Sequence, residues 1–300
     1  MSNDSFIREY FEGKREKRFG VGLRRHQNLL MDKESVYSWG QHFPLATVTE
    51  HGAYILNGDG DTSSTAGHQT ITRQHAIRAK VKHVEVPFSA LRRARIQVRE
   101  VRIISQQDDK FRTKWVKDPK TGKDKTVEEH LLGACVLKFE DKFFLSSTDD
   151  GANWGFGYFL TELPLRVRNV KQAFSALKPE IVKRAMSSRK DVKRQGEWFF
   201  IPFGNTRKLM RFLRKEMLFF EPSLRTRMEK WKLLPVVSQN GAEPHHKVRD
   251  CVEGLYSRFF VRGTVRHTQS QHTIVSLGEV WHQAVPNCQV NSWSVQGRVD

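Results

Sequence analysis

Residues 245–293 read HHKVRDCVEGLYSRFFVRGTVRHTQSQHTIVSLGEVWHQAVPNCQVNSW, and this stretch decides the fold class. LYSRFFVRGTVR, residues 255–266, is rich in aromatic and β-branched side chains and alternates in part, which predicts a strand. TIVSL, residues 273–277, predicts a second strand, and a turn at Gly278-Glu279 would bring back a third over 280–285. Four polar residues between His267 and His272 suit a hairpin loop. The expected product is a C-terminal β-meander.

Histidines gather at the ends of these strands. If His267 and His272 close the hairpin, their Cβ atoms stand about 4.5–5.5 Å apart across the ladder, close enough to share a metal. His282 is the third candidate ligand, with His245, His246 and Cys251 as further donors. Zinc or another divalent metal is the cofactor such a set implies. The spacing matches no zinc-finger pattern, and the competing reading is polar histidines at hairpin ends with no cofactor at all.

Outward from this stretch the chain predicts an α+β fold, mainly antiparallel sheet with short helices. Residues 36–49 and 53–56 predict paired strands, followed by the turn NGDGD at 57–61. Thr65 suits the cap of a helix over 66–80, on which His68 and His75 share an apolar face as core residues. Residues 83–86 and 91–104 predict strands, 134–139 and 142–146 a hairpin, and 158–167 another strand. Helices are expected over 170–177 and 179–186, then an apolar strand to Phe203. Asn205 can cap a basic helix over 206–218, and a second basic helix is expected over 223–232. The division expected is a basic N-terminal segment (1–35), a β-rich domain (36–165) with a basic loop at 105–126, and an α+β domain (166–300).

Charge supplies the functional argument. There are 51 Lys and Arg against 33 Asp and Glu, a net of +18, so the field attracts polyanions and nucleic acid is the expected partner. No run of 18 apolar residues exists, so no membrane partner is expected. The N-terminal residues lack the apolar segment of a signal peptide, and three widely spaced cysteines suggest free thiols. Both point to an intracellular protein, cytoplasmic or nucleoid-associated.

Four places concentrate the cations. Arg24 and Arg25 end a basic arm that begins at Lys14. Arg93, Arg95, Arg99 and Arg102 alternate with apolar residues on the expected strand 91–104, offering an arginine face. Lys114 and Lys117 flank Trp115 in the polar loop, a pattern suited to base stacking with phosphate contacts alongside. Arg207, Lys208, Arg211, Arg214 and Lys215 make the 206–218 helix very basic, with Leu209, Phe212, Leu213 and Met217 as its buried side.

STAGHQ (64–69), GYFLTELP (157–164), RQGEWFFIP (194–202) and VRGTVRH (261–267) resemble segments of uncharacterised proteins carried by phages and mobile elements. That resemblance implies an intracellular nucleic-acid context and assigns no residue a role. Phosphate-loop, dinucleotide, zinc-protease and nucleophile-elbow signatures are absent. The leading expectation is a non-enzymatic DNA- or RNA-binding protein. One alternative is a metal-dependent nuclease or hydrolase using the C-terminal histidines, with Glu140-Asp141-Lys142 a formal match to a nuclease ending. The other is a structural subunit of a ribonucleoprotein or protein assembly.

Overall fold

The computed structural model describes residues 2–12, 23–59, 62–108, 110–117, 124–131, 133–148, 158–220, 228–235, 246–268 and 274–294. The fold is α+β, with mainly antiparallel sheets and a C-terminal antiparallel meander. The chain divides into two compact units: Met1–Asp150 with Gly155–Ala173 and Ser292–Asp300, and Gly151–Trp154 with Phe174–Asn291.

The first unit begins with helix α1 (Asn3–Phe11), closed by a reciprocal Ser2–Ser5 capping box. A six-stranded sheet follows in chain order: β1 (Arg24–His26), β2 (Leu29–Met31), β3 (Ser35–Ser38), β4 (Pro44–Val48), β5 (Tyr54–Asn57) and β6 (His83–Val86). Helix α2 (Ser63–Arg78) is the crossover that lets β5 and β6 pair in parallel. All four β5 residues are buried because both faces of the strand are covered. Tyr54 and Leu56 pack among Phe6, Ile7, Tyr10 and Phe11 of α1 and Ala76 of α2. Ala53 and Ile55 pack on the other side with Leu91, Leu137, Phe144 and Leu160.

Those last residues belong to helix α3 (Phe88–Arg93) and to a second sheet. That sheet contains β7 (Arg102–Gln107), β10 (Ala134–Phe139), β11 (Lys142–Thr148), β12 (Tyr158–Glu162) and β19 (Ser292–Ser294), in the order β19-β12-β11-β10-β7. Between β7 and β10 the chain runs out and back as a ribbon, β8 (Lys110–Lys117) paired with β9 (Asp124–Leu131). The ribbon is a two-stranded sheet of its own, with Lys110 registered on Leu131, and the β7–β10 ladder begins at Gln107 on Ala134 with a register shift between Val136 and Leu137.

The second unit takes in the end of α4 (Val170–Ala176) from Phe174 and then α5 (Glu180–Ser187), which Pro179 caps. Its sheet runs β13-β14-β18-β17-β16-β15, from β13 (Lys193–Gln195), β14 (Trp198–Gly204), β15 (Met228–Leu233), β16 (His246–Glu253), β17 (Phe259–His267) and β18 (Val275–Pro286). Side-chain alternation sends Trp198, Phe200, Phe259 and Val261 to one face, where they join Val248, Cys251 and Val265. Phe199 and Ile201 turn the other way onto Val182 and Ala185 of α5. The sheet curls: Glu197, at the β13–β14 turn, brings a carboxylate oxygen 3.3 Å from Nδ1 of the buried His246 on β16. Gly196 makes that approach possible, since its φ is +54° and a Cβ there would lie 2.8 Å from His246 Nε2.

Several expectations need correction. Residues 91–104 are not one strand. Pro87 lacks a backbone donor and fixes φ, so it opens α3, and Phe88 and Leu91 then bury together at helical spacing. A 3-10 turn (Val98–Glu100) separates α3 from β7. The expected polar loop at 105–126 contains strand backbone on both sides of 118–123, residues that lie outside those described. Residues 228–233 form the strand β15 rather than helix, because β16 offers a pairing edge that outweighs the helix preference of Lys, Glu and Met. No turn occurs at Gly278-Glu279; β18 runs through it with register shifts against β17 and a φ of 66° at Gly278. Within the N-terminal segment, α1 buries Phe6, Ile7, Tyr10 and Phe11.

Candidate nucleic-acid interface

Helix α6 (Thr206–Phe220) is built from its two opposite faces. Asn205 Oδ1 accepts the Lys208 backbone N–H at 2.9 Å, satisfying one of the four donors that a helix start leaves unpaired. Leu209 and Leu213, one turn apart, are buried against Val252, Phe260 and Trp281 of the sheet. Phe203, Phe212 and Phe260 meet edge to face, with centroids 5.0 to 5.7 Å apart. The Trp281 indole N–H donates to the Thr206 hydroxyl at 3.0 Å and pins the first turn.

With about 100° between successive residues, Arg207, Lys208, Arg211, Arg214 and Lys215 fall within roughly 120° of arc, opposite Leu213. All five are exposed. Four neighbouring cations in the same unit are paired with acids. Arg249 and Arg262 both reach Asp250 and Glu279. Lys232 sits between Glu229 and Glu253, 2.9 Å from each, and Arg258 pairs with Glu216. Among the described residues, Arg207, Arg211, Arg214 and Lys215 have no acidic partner, while the Lys208 ammonium lies over the Phe203 ring. The helix therefore presents a positive stripe on a rigid base, which is the geometry for a row of phosphates.

The other expected cations are more scattered. Arg24 on β1 pairs with Glu9 at 2.7 Å and lies over Phe6, whereas Arg25 is exposed. Arg93 ends α3, Arg95 has a φ of 58°, Arg99 lies in the 3-10 turn, and Arg102 starts β7. No common strand presents them, so the expected arginine face does not form. Arg99 lies 3.0 Å from Glu34 and 3.9 Å from Glu50. Lys114, Trp115 and Lys117 are on β8, where Trp115 registers with Thr126 and Lys117 with Asp124; their side chains lie outside the described residues.

Asp59, which the sequence placed only in a turn, is a buried anchor. Its carboxylate accepts the Ser89 backbone N–H at 2.7 Å and the Ser89 hydroxyl at 2.6 Å, holding the first turn of α3. Gln69 closes the loop by donating to the carbonyls of Asn57 and Asp59. Burial holds the Asp59 carboxyl above the usual carboxylate range, against the opposing pull of Ser89 and of the Arg92 and Arg93 charges. His68 and His75 are core residues: His68 Nδ1 lies 2.8 Å from the Ser38 hydroxyl, and His75 Nε2 lies 2.9 Å from Asp4. Burial lowers the His68 pKa.

The histidine cluster of the C-terminal meander falls mostly beyond view. His245 and His272 lie outside the described residues, as does the His267 side chain. His282 is buried, its Nδ1 2.9 Å from the Val280 carbonyl, and burial lowers its pKa. Among the described residues no three His, Cys, Asp or Glu side chains assemble as a metal group. Glu140 and Asp141 form the β10–β11 turn, and Lys142 pairs with Glu162 at 3.2 Å. The cysteines are free, and burial pushes the Cys135 and Cys251 thiols up to about 12, which keeps them protonated near neutrality. Among the described residues, no helix is long and apolar enough to cross a membrane. Set against known protein families, curated proteins and solved structures, the chain matches none of them.

Proposed function

We propose that this chain is a non-enzymatic nucleic-acid-binding protein whose principal phosphate contacts are made by α6. The observation that carries this reading is the unequal treatment of cations in one unit. Arg249, Arg258 and Arg262 are answered by acids, while Arg207, Arg211, Arg214 and Lys215 are arrayed on one exposed helical face without any. A folded chain that gathers like charges accepts a repulsive cost, and a polyanion removes it while releasing counterions. The β8–β9 ribbon, with Lys114, Trp115 and Lys117 on its first strand, is proposed as a second contact.

The test is fluorescence anisotropy on labelled oligonucleotides at salt concentrations from about 50 to about 200 mM. Affinity is expected to fall linearly in log–log form, with a slope that shrinks by about 0.7 to 0.9 for each phosphate contact removed. Arg211→Glu with Arg214→Glu should weaken binding and flatten the slope together. Binding that is indifferent to salt, or that survives this double variant unchanged, would overturn the reading.

A further inference from the structure

Beside the cationic stripe the second unit displays an aromatic ring on a strained turn. Tyr256 lies in the β16–β17 connection and is 73% exposed, among the most exposed large apolar-bodied side chains described. Its backbone is left-handed, at φ 56° and ψ 38°, and Ser257 follows at φ 52°. Two successive non-glycine residues in that region cost energy, so the surroundings must hold them there. They do. Gly254 N–H donates to the Arg258 carbonyl at 2.7 Å and closes the turn. Gly254 also approaches α6 so closely that a Cβ would sit 3.1 Å from Leu213 Cδ2. Arg258 pairs with Glu216 of α6 while its guanidinium lies 5.9 Å from the Tyr256 ring centroid.

Position follows from these ties. Glu216 occupies the flank of α6 between buried Leu213 and the Lys208–Lys215 edge of the exposed cations, by helical geometry. The turn is therefore clamped to that flank with its aromatic ring exposed, and Lys208 and Lys215 are the cations nearest to it around the helix, roughly 80–100° from Glu216.

We infer that Tyr256 is a base-stacking platform and that the partner of this surface is single-stranded nucleic acid. The inference rests on α6 being the phosphate-binding element and names the form of nucleic acid that it takes. Duplex bases are already stacked on each other and cannot lie on the ring, whereas an unpaired base can stack there while the strand's phosphates reach the near edge of the cations at Lys215 and Lys208. Every base has a π-face, so the contact is tolerant of sequence, and ribose and deoxyribose strands share it.

The experiment measures anisotropy of the full chain on unstructured oligodeoxynucleotides, their oligoribonucleotide equivalents, and a duplex of the same length. Tyr256→Ala should weaken single-strand binding about five- to a hundredfold, the loss typical of one stacked base. It should leave duplex binding and the salt slope unchanged, and Tyr256→Phe should restore single-strand affinity. On oligonucleotides lacking bases, Tyr256→Ala should cost nothing further. If Tyr256→Ala leaves single-strand affinity intact, or weakens duplex equally, the stacking role is wrong. The α6 proposal is judged separately: Arg211→Glu with Arg214→Glu must weaken binding on every strand, and if it does not, the phosphate-binding reading fails whatever Tyr256 does.

Discussion

Two segments of this chain are rich in arginine, and they use it differently. Residues 88–102 carry Arg92, Arg93, Arg95, Arg99 and Arg102, and acids answer several of them. Asp59 acts on Arg92 and Arg93 through its charge, and Glu34 and Glu50 meet Arg99. Helix α6 carries as many cations, and Glu216, an acid of the helix itself, is taken by Arg258. The first segment is therefore answered in part, at Arg92, Arg93 and Arg99, and its cations are spread over different elements, while Arg207, Arg211, Arg214 and Lys215 share one exposed helical face with no acidic partner among the described residues. Net charge alone does not distinguish these cases; the register of cations on an element, and the acids across from it, does.

The strongest way to break the comparison is to remove what seats α6. Phe260 is buried among Phe203, Phe212, Leu209 and Leu213. Phe260→Ala should cost about 3–5 kcal/mol in urea unfolding, and nucleic-acid affinity should fall with it at temperatures where the protein remains folded. Affinity that persists with α6 unseated would mean that the binding surface lies elsewhere.

Charge reversal sharpens the contrast directly. Arg207→Glu, Arg211→Glu and Arg214→Glu together should lower affinity about a hundredfold or more at moderate salt, through lost phosphate contacts and added repulsion. The matching triple at Arg93, Arg95 and Arg102 should lower it less than about fivefold, as a general field effect. Equal losses would show that the protein binds through its overall field and that α6 has no special place.

The two helix starts also differ, and pH reads that difference. Asn205 caps α6 with a neutral amide at an exposed position, while α3 hangs on the buried carboxylate of Asp59. The folded pKa of Asp59 is raised above its unfolded value, so the stability it contributes is fully present at low pH. That contribution is lost as pH climbs from about 4 through the raised value. Asp59→Asn keeps an acceptor for the Ser89 N–H and removes the titration. In urea unfolding across this range, the variant should gain on the wild-type protein as pH rises. A stability gap that is flat with pH would mean that the Asp59 carboxyl titrates as it does in the unfolded chain.

How much of this could be read from the sequence depends on which force set each element. The apolar strand at 198–203, the hairpin over 134–148 and the α6 helix were legible because periodicity, cap and turn residues agreed. Residues 91–104 misled because alternating arginines imitate a strand, while the deciding events, Pro87 and the joint burial of Phe88 and Leu91, depend on a distant sheet. β15 misled for the same reason: its helix-forming residues yield to a pairing edge supplied by β16. On α6 the cationic face was legible from i, i+4 spacing, but the absence of answering acids was not. Tyr256 was hidden inside a predicted strand, and only the clamped turn turns it outward.

The smallest expected effect is the most discriminating for the acid-paired arginine of the first segment. Arg99 is about half exposed, and its two carboxylate partners are exposed as well, so water and salt screen the pairs. Arg99→Ala should therefore change stability by less than about 1 kcal/mol. Because Glu34 and Glu50 already occupy the guanidinium, a phosphate would have to compete with them, so affinity should also stay within about twofold, against the larger loss at an unanswered arginine such as Arg211. Measuring both variants over the same salt series separates the two positions, since only removal of a true phosphate contact flattens the slope. If Arg99→Ala flattens it as much as Arg211→Ala, then Glu34 and Glu50 release the guanidinium to the nucleic acid. In that case the answering acids of the first segment are a reserve that a polyanion displaces, and the distinction between the two arginine-rich segments disappears.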